Sequence, residues 1–201
     1  SLNPNDVSDA NSDTDEDGLS AIEEFAAGTF ANRSDSDQDT LPDGWEIDNS
    51  RNPLAADYQI GAGFNHSCAL DDAGVQCWGW NDDGQTNVPA LLNPVQVSAG
   101  GFHTCALDDT GVQCWGRNGD GQTDVPALSN PVQVSADGSH TCAVDDTGVH
   151  CWGRNGEGQT TVPALSNPVQ VSAGGGHTCA LDDIDVQCWG RHTAGQTSVP
   201  G

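Results

Sequence analysis

The 201-residue chain carries 30 acidic residues against five arginines, with no lysine and no methionine, for a formal charge of −25. Nucleic acid and anionic membrane surfaces are thereby excluded as partners, because both draw their sequence-independent affinity from lysine and arginine neutralising phosphates. Cations are the partners such a chain favours. No apolar run approaches the length of a spanning helix and no basic stretch leads into an apolar one, so direct membrane insertion is not expected. Lacking an initiator methionine, the chain reads as a mature or excised piece of an exported protein, and its even set of eight cysteines points to an oxidising compartment.

Residues 1–57 hold half of the acids and no cysteine, which divides the chain into an acidic module, 1–57, and a repeat region, 58–201. Two runs in the module have metal-loop spacing. In the first, Asp13, Asp15 and Asp17 alternate, Gly18 follows, Leu19 takes the seventh place and Glu24 the twelfth. In the second, Asp35, Asp37 and Asp39 alternate, followed by Leu41, Asp43 at the ninth place and Glu46 at the twelfth. Alternate side chains converge on one hard cation, a mid-loop carbonyl adds an oxygen, and the terminal carboxylate closes the shell through both of its oxygens. The flexible, all-oxygen set favours calcium over magnesium, and Asp9 and Asn11 extend the first alternation far enough for a second ion to share it. Thr40, where a sharp-turn glycine is usual, and Ala21, at a ligand position, depart from the pattern. The bland reading of the same residues is a solvated acidic linker. Short helices are expected over 19–25 and from 44 to 47, each carrying its glutamate inward. The two runs resemble EF-hand loops, and the whole phrase resembles thrombospondin type 3-like calcium modules of bacteria, which implies a spacer or stalk.

Beyond this module, Cys68, Cys105, Cys142 and Cys179 recur every 37 residues, and Cys77, Cys114, Cys151 and Cys188 recur in step. Each unit holds three strand-like segments, as in VQVSA, HTCAL and VQCWG of the second copy, and Asp-Asp-Thr-Gly joins the last two. Closing that hairpin symmetrically sets Leu107 opposite Val112, Ala106 opposite Gln113 and Cys105 opposite Cys114. One disulfide per repeat follows: Cys68 to Cys77, Cys105 to Cys114, Cys142 to Cys151 and Cys179 to Cys188. Zinc is the rival reading, but the pairs lack the short knuckle of structural zinc sites. Cys and Leu fall on one face of the hairpin and Trp115 on the other, so each small sheet must pack between two neighbours.

The motifs G-x-x-H-[ST]-C-A, V-x-C-W-G and G-Q-T-x-V-P resemble the bacterial form of the regulator of chromosome condensation repeat. They also resemble a secreted inhibitor of β-lactamases with three-stranded blades. The resemblance implies a mainly β fold of short propeller-like blades, here four, arranged as an open arc or solenoid. Ile184-Asp185 in place of the turn Thr-Gly, and His192-Thr193-Ala194, depart from it in the last copy. The recurring His66, His103, His140 and His177 read as one hydrogen-bonding task repeated, and Gln85, Gln122, Gln159 and Gln196 as turn-fixing residues.

No catalytic constellation stands out, so no enzymatic activity is expected. The near-identical loops Asn-Gly-Asp-Gly and Asn-Gly-Glu-Gly favour a secreted, calcium-stabilised structural or surface-assembly protein that self-associates through its repeat array into an oligomer or filament. The alternative is an extracellular module that binds another protein or a glycan.

Overall fold

A computed structural model describes residues 9–36, 42–48, 52–54, 59–71 and 73–200. The chain divides into two compact units, Ser1–Tyr58 and Gln59–Gly201. No helix among the described residues is long and apolar enough to cross a membrane.

In the first unit a 3-10 turn, Asp9–Asn11, precedes two short helices, α1 (Ala21–Ala27) and α2 (Asp43–Asp48). Helix α1 begins two residues later than the spacing suggests because Ser20 caps it. Ser20 and Glu23 form a capping box in which the Glu23 carboxylate accepts from the Ser20 amide at 2.9 Å. Gly28, in the left-handed conformation, ends the helix by donating its N–H to the Glu24 carbonyl at 2.7 Å.

The second unit is built from four three-stranded antiparallel blades in an open arrangement. Blade one comprises β1 (Gln59–Ala62), β2 (His66–Asp71) and β3 (Gly74–Gly79); blade two comprises β4 (Gln96–Ala99), β5 (His103–Asp108) and β6 (Gly111–Gly116). Blade three follows with β7 (Gln133–Asp137), β8 (His140–Asp145) and β9 (Gly148–Gly153). Blade four has β10 (Gln170–Ala173), β11 (His177–Leu181) and β12 (Val186–Gly190). The hairpin register is the one the turn chemistry requires: Leu107 faces Val112, Ala106 faces Gln113 and Cys105 faces Cys114. All four expected disulfides are formed, with Cα atoms 4.0 to 4.1 Å apart, and no cysteine is free. In blade four the Ile184-Asp185 substitution shortens the hairpin strands, and the Asp182 amide bonds across the turn to the Asp185 carbonyl at 3.1 Å.

The apolar core lies between blades rather than within them. Cys68 and Leu70 pack on Val97 and Ala99; Cys105 and Leu107 pack on Val134 and Ala136; Cys142 and Val144 pack on Val171 and Ala180. Polar side chains bridge the same joints. The Val134 and Val171 amides donate to Gln96 and Gln133 Oε1 at 2.8 and 2.7 Å, and the Ala136 and Ala173 amides donate to the Ser98 and Ser135 hydroxyls at 2.9 Å. These side chains take over the hydrogen bonding that a continuous sheet would assign to backbone. Gly116 permits the close approach: its φ is 100°, and a Cβ there would lie 3.0 Å from the Cβ of Gln85 in the preceding repeat.

Each disulfide closes a loop with a sequence separation of 9. Replacing Cys105 and Cys114 together by serine is expected to cost about 2 to 3 kcal/mol in the chain-entropy account. Denaturant unfolding checks it: an unchanged midpoint would show that inter-blade packing alone holds the hairpin.

Candidate functional site

The acidic unit brings five carboxylates together in two overlapping groups. Asp13 is spent on its own loop, its Oδ1 accepting from the Glu16 amide at 2.8 Å and its Oδ2 from the Gly18 amide at 3.1 Å. That turn aims Asp15 and Asp17 the same way. Asp17 Oδ1 accepts from the Leu19 amide at 2.7 Å, whereas Asp17 Oδ2 and both oxygens of Asp15 are buried with no hydrogen-bond donor. Helix α1 turns Ala21 and Glu24 inward, and Glu24 is fully buried with neither oxygen partnered. Carboxylate oxygens of Asp13, Asp15 and Asp17 lie within 4.8 Å of one another, and so do those of Asp17, Glu24 and Asp43.

Asp43 reaches this cluster from α2. Its oxygens accept from the Ser36 amide at 2.7 Å and the Ser36 hydroxyl at 2.5 Å. The spacing of the second run places Asp43 at the ninth position of its own loop, so its association with Asp17 and Glu24 is a change of partner that only the fold reveals. Gly44 makes the approach possible, since a Cβ there would stand 2.2 Å from the Asp17 carbonyl oxygen. Of the remaining expected ligands, Glu46 is buried, Asn11 is exposed, and Leu19 is buried with its amide committed to Asp17. Asp35 precedes the buried Ser36. Asp37, Asp39, Leu41 and the side chain of Asp9 lie outside the described residues.

Two unit charges about 5 Å apart repel by about 3 kcal/mol at an effective dielectric near 20, so the cluster cannot hold its full charge without compensation. Burial first, then Asp15, Asp17, Asp43 and Asp13, push the Glu24 carboxyl up to about 7. Asp17 is also raised, by burial and by its acidic neighbours, against the opposing Leu19 amide. A hard cation answers both the missing donors and the repulsion, and oxygen-only ligands from carboxylates suit calcium. Asp15, Asp17, Glu24 and Asp43 are the residues that would hold it.

In the array, the repeated histidines do one job at each joint. His66, His103 and His140 Nε2 lie 2.8 to 2.9 Å from the hydroxyls of Thr104, Thr141 and Thr178 on the following blade. Each of those hydroxyls donates its proton to the carbonyl of Gln85, Gln122 or Gln159 at 2.9 Å. It must therefore accept from the histidine, which fixes the neutral Nε2–H tautomer and leaves Nδ1 a buried, unpartnered lone pair. Burial above all holds His103 and His140 down to about 4. The glutamines fix turns as expected, each Oε1 accepting from the amide two residues before it. Their backbone carbonyls also take the indole N–H of Trp115, Trp152 and Trp189. The motif H-[ST]-C-A contains these threonines, each following a repeated histidine with Ser67 in the first copy, but only the fold shows that they bridge to the blade before.

A second feature, outside the shared repeat pattern, is aromatic. Phe64, Trp80 and Phe102 form a cluster in which the Phe102 ring meets Phe64 at 5.5 Å and Trp80 at 5.6 Å, both edge to face, with the Arg117 guanidinium 5.5 Å from its centre. Aligning the repeats exposes the departure: Phe64 stands where Gly101, Gly138 and Gly175 recur, and Trp80 where Arg117, Arg154 and Arg191 do. Phe64 and Trp80 are both exposed. Thus the loops are not uniform, and blades one and two carry a face that blades three and four lack.

A groove of about 520 Å³ runs along the rim of blade three between its hairpin and the segment Val162–Val169. Its acid, Asp145, is already bonded to the Ser129 amide and to Thr147, so it offers no free ligand.

Similar structures are found among known proteins. The chain resembles the ectodomain of the receptor kinase CR4 of Physcomitrella patens, with 28% identity, a TM-score of 0.57, and 68% of this chain and 39% of that one covered. It resembles the CRINKLY WD40 ectodomain of the Arabidopsis thaliana receptor kinase ACR4 at 26% identity and a TM-score of 0.53, over 66% of this chain and 49% of that one. Prp20p of Saccharomyces cerevisiae shares the fold at 24% identity and a TM-score of 0.59, over 72% of this chain and 47% of its own. The chain thus spans less than half the length of each of these structures. No curated protein sequence matches it. The regulator of chromosome condensation (RCC1) repeat matches residues 58–85, 95–122, 132–159 and 169–196, one stretch per blade and together more than half of the chain. With the blade topology, the residues repeated at its three joints and these matches in agreement, the chain belongs to the RCC1 repeat family.

Proposed function

We propose that this chain is an extracellular, non-enzymatic binding module, in which calcium orders the acidic unit and the blade array presents a recognition face to a protein or glycan. The aromatic cluster carries the reading: Phe64, Trp80 and Phe102 beside Arg117 are the residue types that dominate binding energy at interfaces, set on one part of an otherwise repetitive surface. The four disulfides and the likeness to two plant receptor ectodomains support a place outside the cell. The bacterial setting rests on the repeat's resemblance alone. For calcium, the support is the set of buried carboxylate oxygens on Asp15, Asp17 and Glu24 that no protein donor satisfies.

Binding of the fluorescently labelled chain to intact producing cells and to a glycan array tests the reading. Saturable binding is expected, weakened more than about tenfold by Trp80→Ala or Phe64→Ala and less than about twofold by Arg154→Ala, at the same loop position on blade three. Equal losses in all three, or no saturable binding to either surface, would overturn it.

A second reading, assembly of copies into an oligomer or filament, draws on a different observation. Ile60 and Leu181 are exposed, whereas the residues at their positions in the other blades are buried.

A further inference from the structure

We infer that the outer face of blade four is the receiving half of an inter-blade joint, and that blade one of a second copy of this chain fills it. The inference rests on the assembly reading and gives it a surface, a polarity and a set of bonds.

Each internal joint has two chemically distinct halves. The earlier blade supplies a histidine Nε2–H, a glutamine Oε1, a serine hydroxyl and a backbone carbonyl. The later blade supplies the threonine hydroxyl, two strand amides and the indole N–H that meet them. Blade four retains the whole earlier half in His177, Gln170, Ser172 and the Gln196 carbonyl. Blade one retains the later half in Ser67, the amides of Ile60 and Ala62, and the exposed Trp78. Serine at 67 keeps the hydroxyl that threonine provides elsewhere.

The apolar halves match in the same way. Ile60 is 87% exposed, while Val97, Val134 and Val171 at the same strand position are at most 5% exposed because a preceding blade covers them. Leu181 is 39% exposed, while Leu70, Leu107 and Val144 are at most 6% exposed because a following blade covers them. In the internal joints those two positions share one buried cluster, Leu70 with Val97, Leu107 with Val134 and Val144 with Val171. Placing Ile60 of a second copy on Leu181 continues an interface that the chain already builds three times. Charge does not select the partner, since every group in the joint is neutral, so the match is one of shape and donor-acceptor order. Because the halves differ, the contact is head to tail, and it closes into a ring or propagates according to its rotation.

Sedimentation of the full chain in about 1 mM calcium, an extracellular level, and at about 100 µM protein tests this. The wild-type chain is expected to associate. Ile60→Asp and Leu181→Asp are each expected to be monomeric, because aspartate would be buried unpaired in the joint, weakening it more than about a hundredfold. Both sites are exposed in the single chain, and intact disulfides with an unchanged near-ultraviolet spectrum would confirm folding. Mixing the two variants should then yield a one-to-one dimer and nothing larger, since one retains a working blade four and the other a working blade one. A monomeric wild type would reject both the joint and the assembly reading. Association that survives both substitutions would reject the joint while leaving assembly standing, and a mixture that stays monomeric would reject the head-to-tail polarity.

Discussion

Glu24→Gln should weaken calcium binding by about ten- to a hundredfold while leaving the blade array unchanged, because it removes charge and one ligand oxygen from a fully buried position without changing volume. The neighbouring Glu23 supplies an internal control. Its carboxylate bonds the Ser20 amide and hydroxyl and does not join the acid cluster, so Glu23→Gln should soften the helix cap and leave calcium affinity within about twofold. The pH dependence separates ligand loss from general damage. With its carboxyl held near 7, Glu24 is protonated in the metal-free unit at mildly acidic pH, and calcium must displace that proton. Affinity is therefore expected to rise about tenfold per pH unit below about 7 and to level off above it, and Glu24→Gln should flatten that rise. The metal-free unit itself runs the other way. A carboxyl raised in the folded state binds its proton more tightly there than in the unfolded chain, so the unit is firmest below the ordinary glutamate range and loses stability as pH rises through about 7. Calorimetric titration and limited proteolysis at pH 5 and pH 8, with and without chelator, measure all of this. Calcium affinity that is unchanged in Glu24→Gln would dismiss the site.

Acid should loosen the blades well before their carboxylates titrate. Burial holds His103 and His140 down to about 4 in the folded array, whereas they would titrate near 6.5 when unfolded. Both states are neutral above 6.5, so the array keeps its full stability there. As pH falls from 6.5 towards 4 the unfolded chain takes up the protons first, and each histidine removes up to about 3 kcal/mol. The buried Nδ1 is the physical reason: a proton placed there meets no acceptor. Asp145 and Asp182 act lower. Burial opposes the Asp145 charge, but the Ser129 amide and the Thr147 hydroxyl and amide outweigh it; at Asp182 the Ser166 amide leads, and both carboxyls are held to about 2. Their contribution is lost only as pH drops through the ordinary carboxylate range towards 2. Denaturant midpoints at pH 7.5 and pH 4.5 should differ strongly in the wild type, and His103→Gln with His140→Gln should remove most of the difference, since glutamine donates to the threonine hydroxyl but does not titrate. A wild-type midpoint that stays constant between those pH values would show that the histidines are not the array's acid-sensitive element.

Much of the array is legible in the chain because its decisive relations are local. The hairpin pairing of Cys105 with Cys114 spans nine positions, and a two-residue turn between Asp108 and Gly111 leaves a single register for it. Likewise the alternation of Asp13, Asp15 and Asp17 gathers three carboxylates within one turn of chain. Repetition then multiplies each local inference by four. It also misleads: reading the repeats for what they share suggested uniform loops, while Phe64 and Trp80, which break the pattern, are where the surface acquires character.

By itself the sequence determined the 37-residue period, through direct repetition, and three strands to a blade, the disulfide partners and the acidic alternation, through spacings of about ten residues or fewer. Tertiary structure decided the rest. Asp43 joins Asp17 and Glu24 across the fold instead of staying within its own run, because Gly44 lets α2 approach the Asp17 carbonyl more closely than any side chain would allow. Burial was decided there too. Equivalent positions carry similar residues in every blade, yet Val97 is covered and Ile60 is bare, because removal from water depends on whether a neighbouring blade lies against the strand, and spacing along the chain carries no record of that neighbour.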